Sequence, residues 1–288
     1  MGTEETAARL LAELRERRPV VHHLANFVTM SDVAAVTRAL GAMPIMAMAP
    51  EEVQEVASSA DAMVVSLGTP TTERLDAIER ALAVARRRGI PVAVDPVGAG
   101  ASKWRTEAAR RIIRAVPRPV IRANPAEAAA LAGKQARLRG VEAAESYDHD
   151  EVIEIAKLVV QSSCVAVITG PRDVITDSRR GFVVDNGHPW LAAMPGAGCM
   201  VTAVVGSFLG VADRADFVIT AAAGLACFGL AAEKAASKAS GPGSLKPQLI
   251  DALFAMTPDE LQAGMKYSEL AAPRKTHAPR SQRIRHHR

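Results

Sequence analysis

At 49% hydrophobic and 23% charged residues, a chain of 288 has the composition of a globular protein, long enough for one large α/β domain or two small ones. Three scattered cysteines, Cys164, Cys199 and Cys227, with no C-x-x-C pair argue against a disulfide framework and a cysteine zinc site, and fit a reducing cytoplasm. The net charge of +4 belongs to one end: residues 273–288 carry six Lys or Arg and no acid, and removing those six charges leaves −2 on residues 1–272.

The chain opens on a charged, amphipathic helical pattern over residues 6–17, without the apolar core of a signal peptide. Short apolar, β-branched runs then alternate with helical patterns. Strands are predicted over 20–24, 44–48, 62–67, 90–95, 119–123 and 164–169, with helices over 32–40, 51–58, 72–88, 106–115, 126–132 and 150–162. Ser31 and Gly41 read as the start and stop signals of the 32–40 helix. A hairpin-like pair is predicted over 173–176 and 181–185, and helices over 199–209, 217–237 and 246–255.

Continuously apolar strands such as VAV and VAVI, alternating with helices, imply a mainly parallel sheet covered on both faces. No linker divides the chain before residue 240, so one α/β domain is expected over 1–265, with a basic tail over 266–288. A Pro-containing basic run without interleaved aromatics reads as a solvated terminus, not as a nucleic-acid or membrane arm. Residues 189–212 lack any charge, but Pro195, Gly196 and Gly198 interrupt them; the helix that remains, about a dozen residues, is short for a bilayer. A soluble protein is expected, with no membrane partner.

In such sheets ligands collect where strands run into helices. Met194-Pro195-Gly196-Ala197-Gly198-Cys199-Met200 opens an apolar helix, where free N–H groups and the helix dipole attract an anion. Cys199 would sit in the first turn, where a thiol pKa falls. A buried small-residue helix start with an inert cysteine fits the same residues. In Val120-Ile121-Arg122-Ala123-Asn124-Pro125-Ala126-Glu127, Arg122 can pair with phosphate and Glu127 can hold hydrated Mg²⁺. Asn124 and Glu127 are equally a capping-box pair. Asp95, ending an apolar strand before Pro96-Val97-Gly98-Ala99-Gly100, suits a metal or a turn cap. Thr169-Gly170 ends another strand, a frequent place for nucleotide contacts. His22 and His23 alternate on a strand and are expected to be packed core residues, not a metal pair. His188 is expected in a turn.

Taken in order, these segments resemble hydroxyethylthiazole kinase, a family of the ribokinase-like superfamily in thiamin salvage. The resemblance rests on Asn26-Phe27-Val28-Thr29-Met30, Pro44-Ile45-Met46, Ala49-Pro50-Glu51-Glu52, Asp95-Pro96-Val97-Gly98-Ala99-Gly100, Ile121-Arg122 with Asn124 and Glu127, Gly196 with Gly198-Cys199-Met200, and Gly241-Pro242-Gly243-Ser244. It covers about residues 6 to 262. It implies a three-layer α/β/α ribokinase-like domain that phosphorylates the primary hydroxyl of hydroxyethylthiazole with Mg-ATP, as a cytoplasmic homotrimer with sites between subunits. By that resemblance Asn26, Met46 and Gly196 border the substrate, Arg122, Thr169 and Gly198 meet the ATP phosphates, Asp95 and Glu127 organise Mg²⁺, and Cys199 faces the hydroxyl as catalytic residue.

The chain departs from the family pattern at Met48, where an Asp is usual, and at Pro195 and Ala197, where two hydroxyl residues are usual. It departs also at Ala123, His23 and Ala25. These changes leave other readings of the same fold: a kinase of a hydroxymethylpyrimidine or pyridoxal type of alcohol, a nucleotide-dependent dehydratase, or a binding-only sensor. Retention of Asp95 and Glu127 together with Arg122 counts against simple sensing.

Overall fold

A computed structural model describes residues 2–270 apart from 137, 140, 141, 144–146, 161–163, 178, 214 and 215. Its strands are β1 (Val20–Leu24), β2 (Met43–Ile45), β3 (Ala62–Ser66), β4 (Val92–Asp95), β5 (Val120–Ala123), β6 (Leu138–Arg139), β7 (Glu142–Ala143), β8 (Val165–Ile168), β9 (Asp173–Thr176), β10 (Gly181–Val184) and β11 (Tyr267–Glu269). Nine of them form one sheet in the order β11-β10-β9-β8-β5-β4-β3-β1-β2, and β6 pairs with β7. The strands from β8 across to β2 run parallel, while β9, β10 and β11 are antiparallel additions at one edge. This is the expected α/β architecture with a mainly parallel sheet.

Successive side chains of the central strands enter opposite cores, as the pleat requires. Ala62 and Val64 of β3, Ala93 of β4 and Val165 and Val167 of β8 lie in one; Met63 and Val65, Val92 and Val94, and Ala166 and Ile168 lie in the other. The first core is closed by α1 (Thr3–Arg17), α2 (Met30–Leu40), α8 (Ala197–Leu209), α9 (Phe217–Ala236), α10 (Pro242–Ala255) and α11 (Pro258–Gly264). The second is closed by α3 (Val53–Ser58), α4 (Thr72–Arg88), α5 (Lys103–Ala115), α6 (Pro125–Leu131) and α7 (His149–Val159). Three layers result because a sheet apolar on both faces has to be covered twice.

Two local expectations are corrected. The second helix begins at Met30 with Thr29 as its N-cap, not at Ser31. The cause lies upstream: the Asn26 side-chain carbonyl accepts the N–H groups of Val28 at 2.9 Å and Thr29 at 3.1 Å, fixing the turn into the helix. Residues 267–269, assigned from sequence to the tail, pair antiparallel with β10 as an edge strand whose largely exposed side chains hide its pattern. The basic stretch 271–288 lies outside the described residues. The 189–212 stretch carries a short, buried apolar helix, as expected; among the described residues the helix long and apolar enough to cross a membrane is α9, and 83% of its apolar window is buried inside the protein.

Cys164, Cys199 and Cys227 are free and buried, and burial pushes each thiol up to about 12. The unfolded chain releases those protons from about pH 8.5 upward, while the native state keeps them. Stability is therefore intact below that pH and falls as pH rises toward 12, by about 1.4 kcal/mol per pH unit per thiol. Urea unfolding between pH 8 and 10.5 will show the loss, and Cys227→Ala will make the slope measurably shallower.

Candidate active site

Five strands deliver polar groups to one edge of the sheet. Asn26 follows β1, Ser66 ends β3, Asp95 ends β4, Arg122 lies one residue from the end of β5, and Thr169 follows β8. All five are carboxyl ends of parallel strands, where the helices have not yet closed the layer. The first turn of α8 descends onto them from the first layer.

Gly198 decides how close that approach is. A Cβ at Gly198 would lie 2.3 Å from Arg122 Nη1, so the guanidinium packs on the glycine backbone itself. Arg122 Nη2 donates to Thr169 Oγ1, and Nη1 stands 3.7 Å from Asp95 Oδ1. The helix tip and the cationic strand end thus face the same space. Gly196, the N-cap of α8, has φ +89°; a Cβ there would sit 2.8 Å from Thr29 Cγ2.

Asp95 is fully buried. The Thr202 hydroxyl lies 3.2 Å from its Oδ2 and 2.9 Å from the Gly198 carbonyl oxygen, while Oδ1 has no hydrogen-bond partner. Asp95 therefore does not cap its own turn. Glu127 Oε2 accepts the Asn124 N–H at 3.0 Å and Asn124 Oδ1 accepts the Glu127 N–H, so the capping box is formed. The other oxygen, Oε1, accepts the Gly98 N–H at 2.8 Å and pins the glycine turn after Asp95. Capping and site-building are the same contact set.

Burial raises Asp95 above the usual carboxylate range against the pull of Arg122, and burial followed by the Asp95 charge lifts Glu127 to about 7. Cys199 corrects the sequence expectation. Its place in the first turn of α8 argued for a lowered pKa, yet burial and the neighbouring Asp95 push it up to about 12. Its sulfur accepts from Asn26 Nδ2 at 3.3 Å and lies 3.9 Å from Ser66 Oγ. Beneath these groups is a cavity of about 10 Å³, room for one water, lined by His23, Thr29, Ser66, Asp95, Cys199 and Thr202.

The acids fit a hard divalent cation. Asp95 Oδ1 is buried without a hydrogen-bond partner, its nearest cation the Arg122 guanidinium at 3.7 Å, and the Asp95 charge raises the cost of ionising the desolvated Glu127, which a bound cation would relieve. Among the described residues no cluster of three or more His, Cys, Asp or Glu forms a protein cage. Mg²⁺ needs none, since it is commonly held by one or two carboxylates with substrate phosphates and water.

Met46 follows β2 and packs against the first core, on the layer that carries α8; Met48 packs against the second. The departure from the family at Met48 therefore faces away from the Met46 side. His22 and His23 are buried as expected: His22 Nε2 bonds Ala47 O at 2.7 Å and His23 Nε2 bonds Thr37 Oγ1 at 3.0 Å, with burial driving His23 down to about 3. His188 caps the short 3₁₀ turn Pro189–Ala193. Ser66 and Thr202 were missed, although Ser66 obeys the rule that found the others: it is the polar end of a buried strand.

Residues 11–259 match the Hydroxyethylthiazole kinase family. The chain belongs to that family. It is 41% identical over 271 residues to the hydroxyethylthiazole kinase of Chloroflexus aggregans, covering 94% of this chain and 96% of that one. The solved hydroxyethylthiazole kinase of Pyrococcus horikoshii is 34% identical, with a TM-score of 0.83 over 92% of this chain and 99% of its own. A ribokinase-like superfamily protein of Enterococcus faecalis, at 14% identity and a TM-score of 0.54 over 88% of this chain and 82% of its own, shares the fold alone. The kinase is thus built on the ribokinase-like fold, and Asn26, Asp95, Arg122 and Thr169 at the strand ends of its sheet meet Cys199 from the first turn of α8.

Proposed function

We propose that this kinase transfers the γ-phosphoryl group of ATP to the primary hydroxyl of hydroxyethylthiazole, in the cleft between the tip of α8 and the strand ends. The observation that carries this is the Arg122 guanidinium packed on Gly198, with Thr169 and Asp95 at its two nitrogens. Phosphoryl transfer needs in-line positioning and neutralisation of charge on the moving group more than it needs a strong base. Helix N–H groups and a planar guanidinium supply that from fixed positions. Asp95 and Glu127 would hold Mg²⁺, which adds charge neutralisation at the phosphates. Asn26, Met46 and Gly196 border the thiazole; Arg122, Thr169 and Gly198 receive the phosphates.

Cys199 faces the hydroxyl. A thiol held near 12 keeps its proton at neutral pH, so it works as an orienting partner and relay beside Asp95, not as a standing thiolate. Cys199→Ala is expected to lower kcat by about tenfold to a hundredfold without abolishing transfer, the usual share of a positioned acid-base group. Cys199→Asp is expected to keep or raise turnover, since a carboxylate accepts the proton directly. Complete loss in a folded Cys199→Asp protein that still binds ATP would remove this role.

ADP release with Mg-ATP across a panel of aromatic alcohols tests the assignment: turnover on hydroxyethylthiazole and not on hydroxymethylpyrimidine or pyridoxal is the expected result. The family resemblance extends the proposal to a cytoplasmic homotrimer with sites between subunits. Phe27 and Val28, 62% and 71% exposed beside Asn26, support a partner surface at the mouth of the cleft. Three reduced, buried cysteines support the cytoplasm.

A further inference from the structure

Arg74 belongs to α4, in the second layer, and touches none of the groups assigned above to the phosphates. It is nevertheless buried, and among the described residues no carboxylate forms an ion pair with it. Its charge is met by carbonyl oxygens instead. Nη1 donates to Gly68 O at 2.6 Å and Thr69 O at 2.7 Å; Nη2 donates to Ala25 O at 2.8 Å and Ser66 O at 3.3 Å. These are the carbonyls left behind where β1 and β3 end and their ladder stops.

The clamped segments are one wall of the acceptor side. Asn26 Nδ2 donates to Ser66 Oγ at 3.1 Å as well as to Cys199 Sγ. Gly68 lies so close that a Cβ there would stand 2.9 Å from Asn26 Cβ. Thr69 holds φ at +43°, a strained value for a β-branched residue that persists only when the surroundings enforce it. Its Oγ1 accepts the Phe27 N–H at 3.3 Å, and the Phe27 ring covers the guanidinium, 5.4 Å from Cζ to centroid. One planar fork therefore ties 25–27 to 66–69. A lysine carries the same charge but cannot present parallel donors to four carbonyls.

We propose that Arg74 is a positioning residue for the acceptor alcohol: it fixes the Asn26 and Ser66–Thr69 wall against Cys199 and has no part in holding ATP. The inference rests on the assignment of Asn26 to the acceptor.

Kinetics of Arg74→Lys against both substrates tests it. Losing fork geometry behind a catalytic wall is expected to raise KM for hydroxyethylthiazole about tenfold to a hundredfold, with KM for MgATP within about twofold of wild type. Thr69→Gly serves as a second variant, because glycine keeps the positive φ while removing Oγ1; it is expected to raise the acceptor KM by a smaller factor and again spare ATP. Parallel changes in both KM values, or no change in either while thermal unfolding matches wild type, would overturn the proposal. If Arg74→Lys does not fold, Thr69→Gly decides by the same split. Asn26→Ala, measured alongside, separates the two levels. An unmoved acceptor KM there overturns the Asn26 assignment and this inference with it; a raised one, with Arg74→Lys and Thr69→Gly silent, overturns the Arg74 role alone.

Discussion

Gly198→Ala will leave the protein folded and lower kcat/KM for MgATP by about a hundredfold to a thousandfold, the scale of losing one preorganised charge-stabilising group. The methyl group would stand 2.3 Å from Arg122 Nη1. The far end of a flexible side chain is the cheaper thing to move, so the guanidinium leaves and the helix stays. With it go the Thr169 bond and the approach to Asp95. Gly198 lies in the first turn of α8, where alanine gains little over glycine, and the buried Asp95 loses its countercharge, so the thermal midpoint should hold or fall modestly. Activity therefore falls far more than stability does. Near-wild-type turnover would mean that the guanidinium is not needed where it lies. Arg122→Lys, which keeps the charge and loses the fork, should show a smaller deficit.

Glu127→Gln, though isosteric, should cost both fold and function. Each carboxylate oxygen accepts one backbone N–H, from Gly98 and from Asn124. Glutamine has one acceptor oxygen and an NH₂, so one buried N–H must face a donor; such an unsatisfied pair costs about 1–3 kcal/mol. If the Gly98 contact fails, the turn after Asp95 loosens and turnover should fall by more than about a hundredfold, as expected when preorganised electrostatics are lost. The pH dependence follows from the same residue. In the free protein Glu127 is raised to about 7, so the native state holds a proton that the unfolded chain lacks between about pH 4.5 and 7. Its contribution to free-protein stability is present at low pH and lost as pH rises through 7. MgATP binding has the opposite sign, because it needs the ionised carboxylate: calorimetric affinity should weaken from pH 8 to pH 6 in wild type. In Glu127→Gln that dependence should flatten.

The Glu127 example shows how far a sequence pattern reaches. The Asn124-x-x-Glu127 spacing names the capping box, because its partners are three residues apart on one helix turn. The Gly98 contact, 29 positions away, appears only when β4 and β5 lie side by side. Arg74 is harder still. An arginine on an amphipathic helix reads as a solvent-facing charge, and nothing local says that strand-end carbonyls will surround it. The edge strand β11 escaped for a related reason: its exposed side chains leave no hydrophobic period to detect.

Local chemistry in the chain determined the alternation of buried strands and helices, the glycine opening of α8, and the family-like residues at the strand ends. Periodicity and turn chemistry act over a few residues, and those features need no more. Tertiary structure alone decided the protonation of Cys199. A helix tip lowers a thiol pKa by a dipole felt within one turn, whereas burial against Asp95 raises it through the surrounding medium, and the second effect prevailed. It also decided that Gly198 and Arg122 meet, since desolvation and contact depend on what the rest of the chain brings to the same edge.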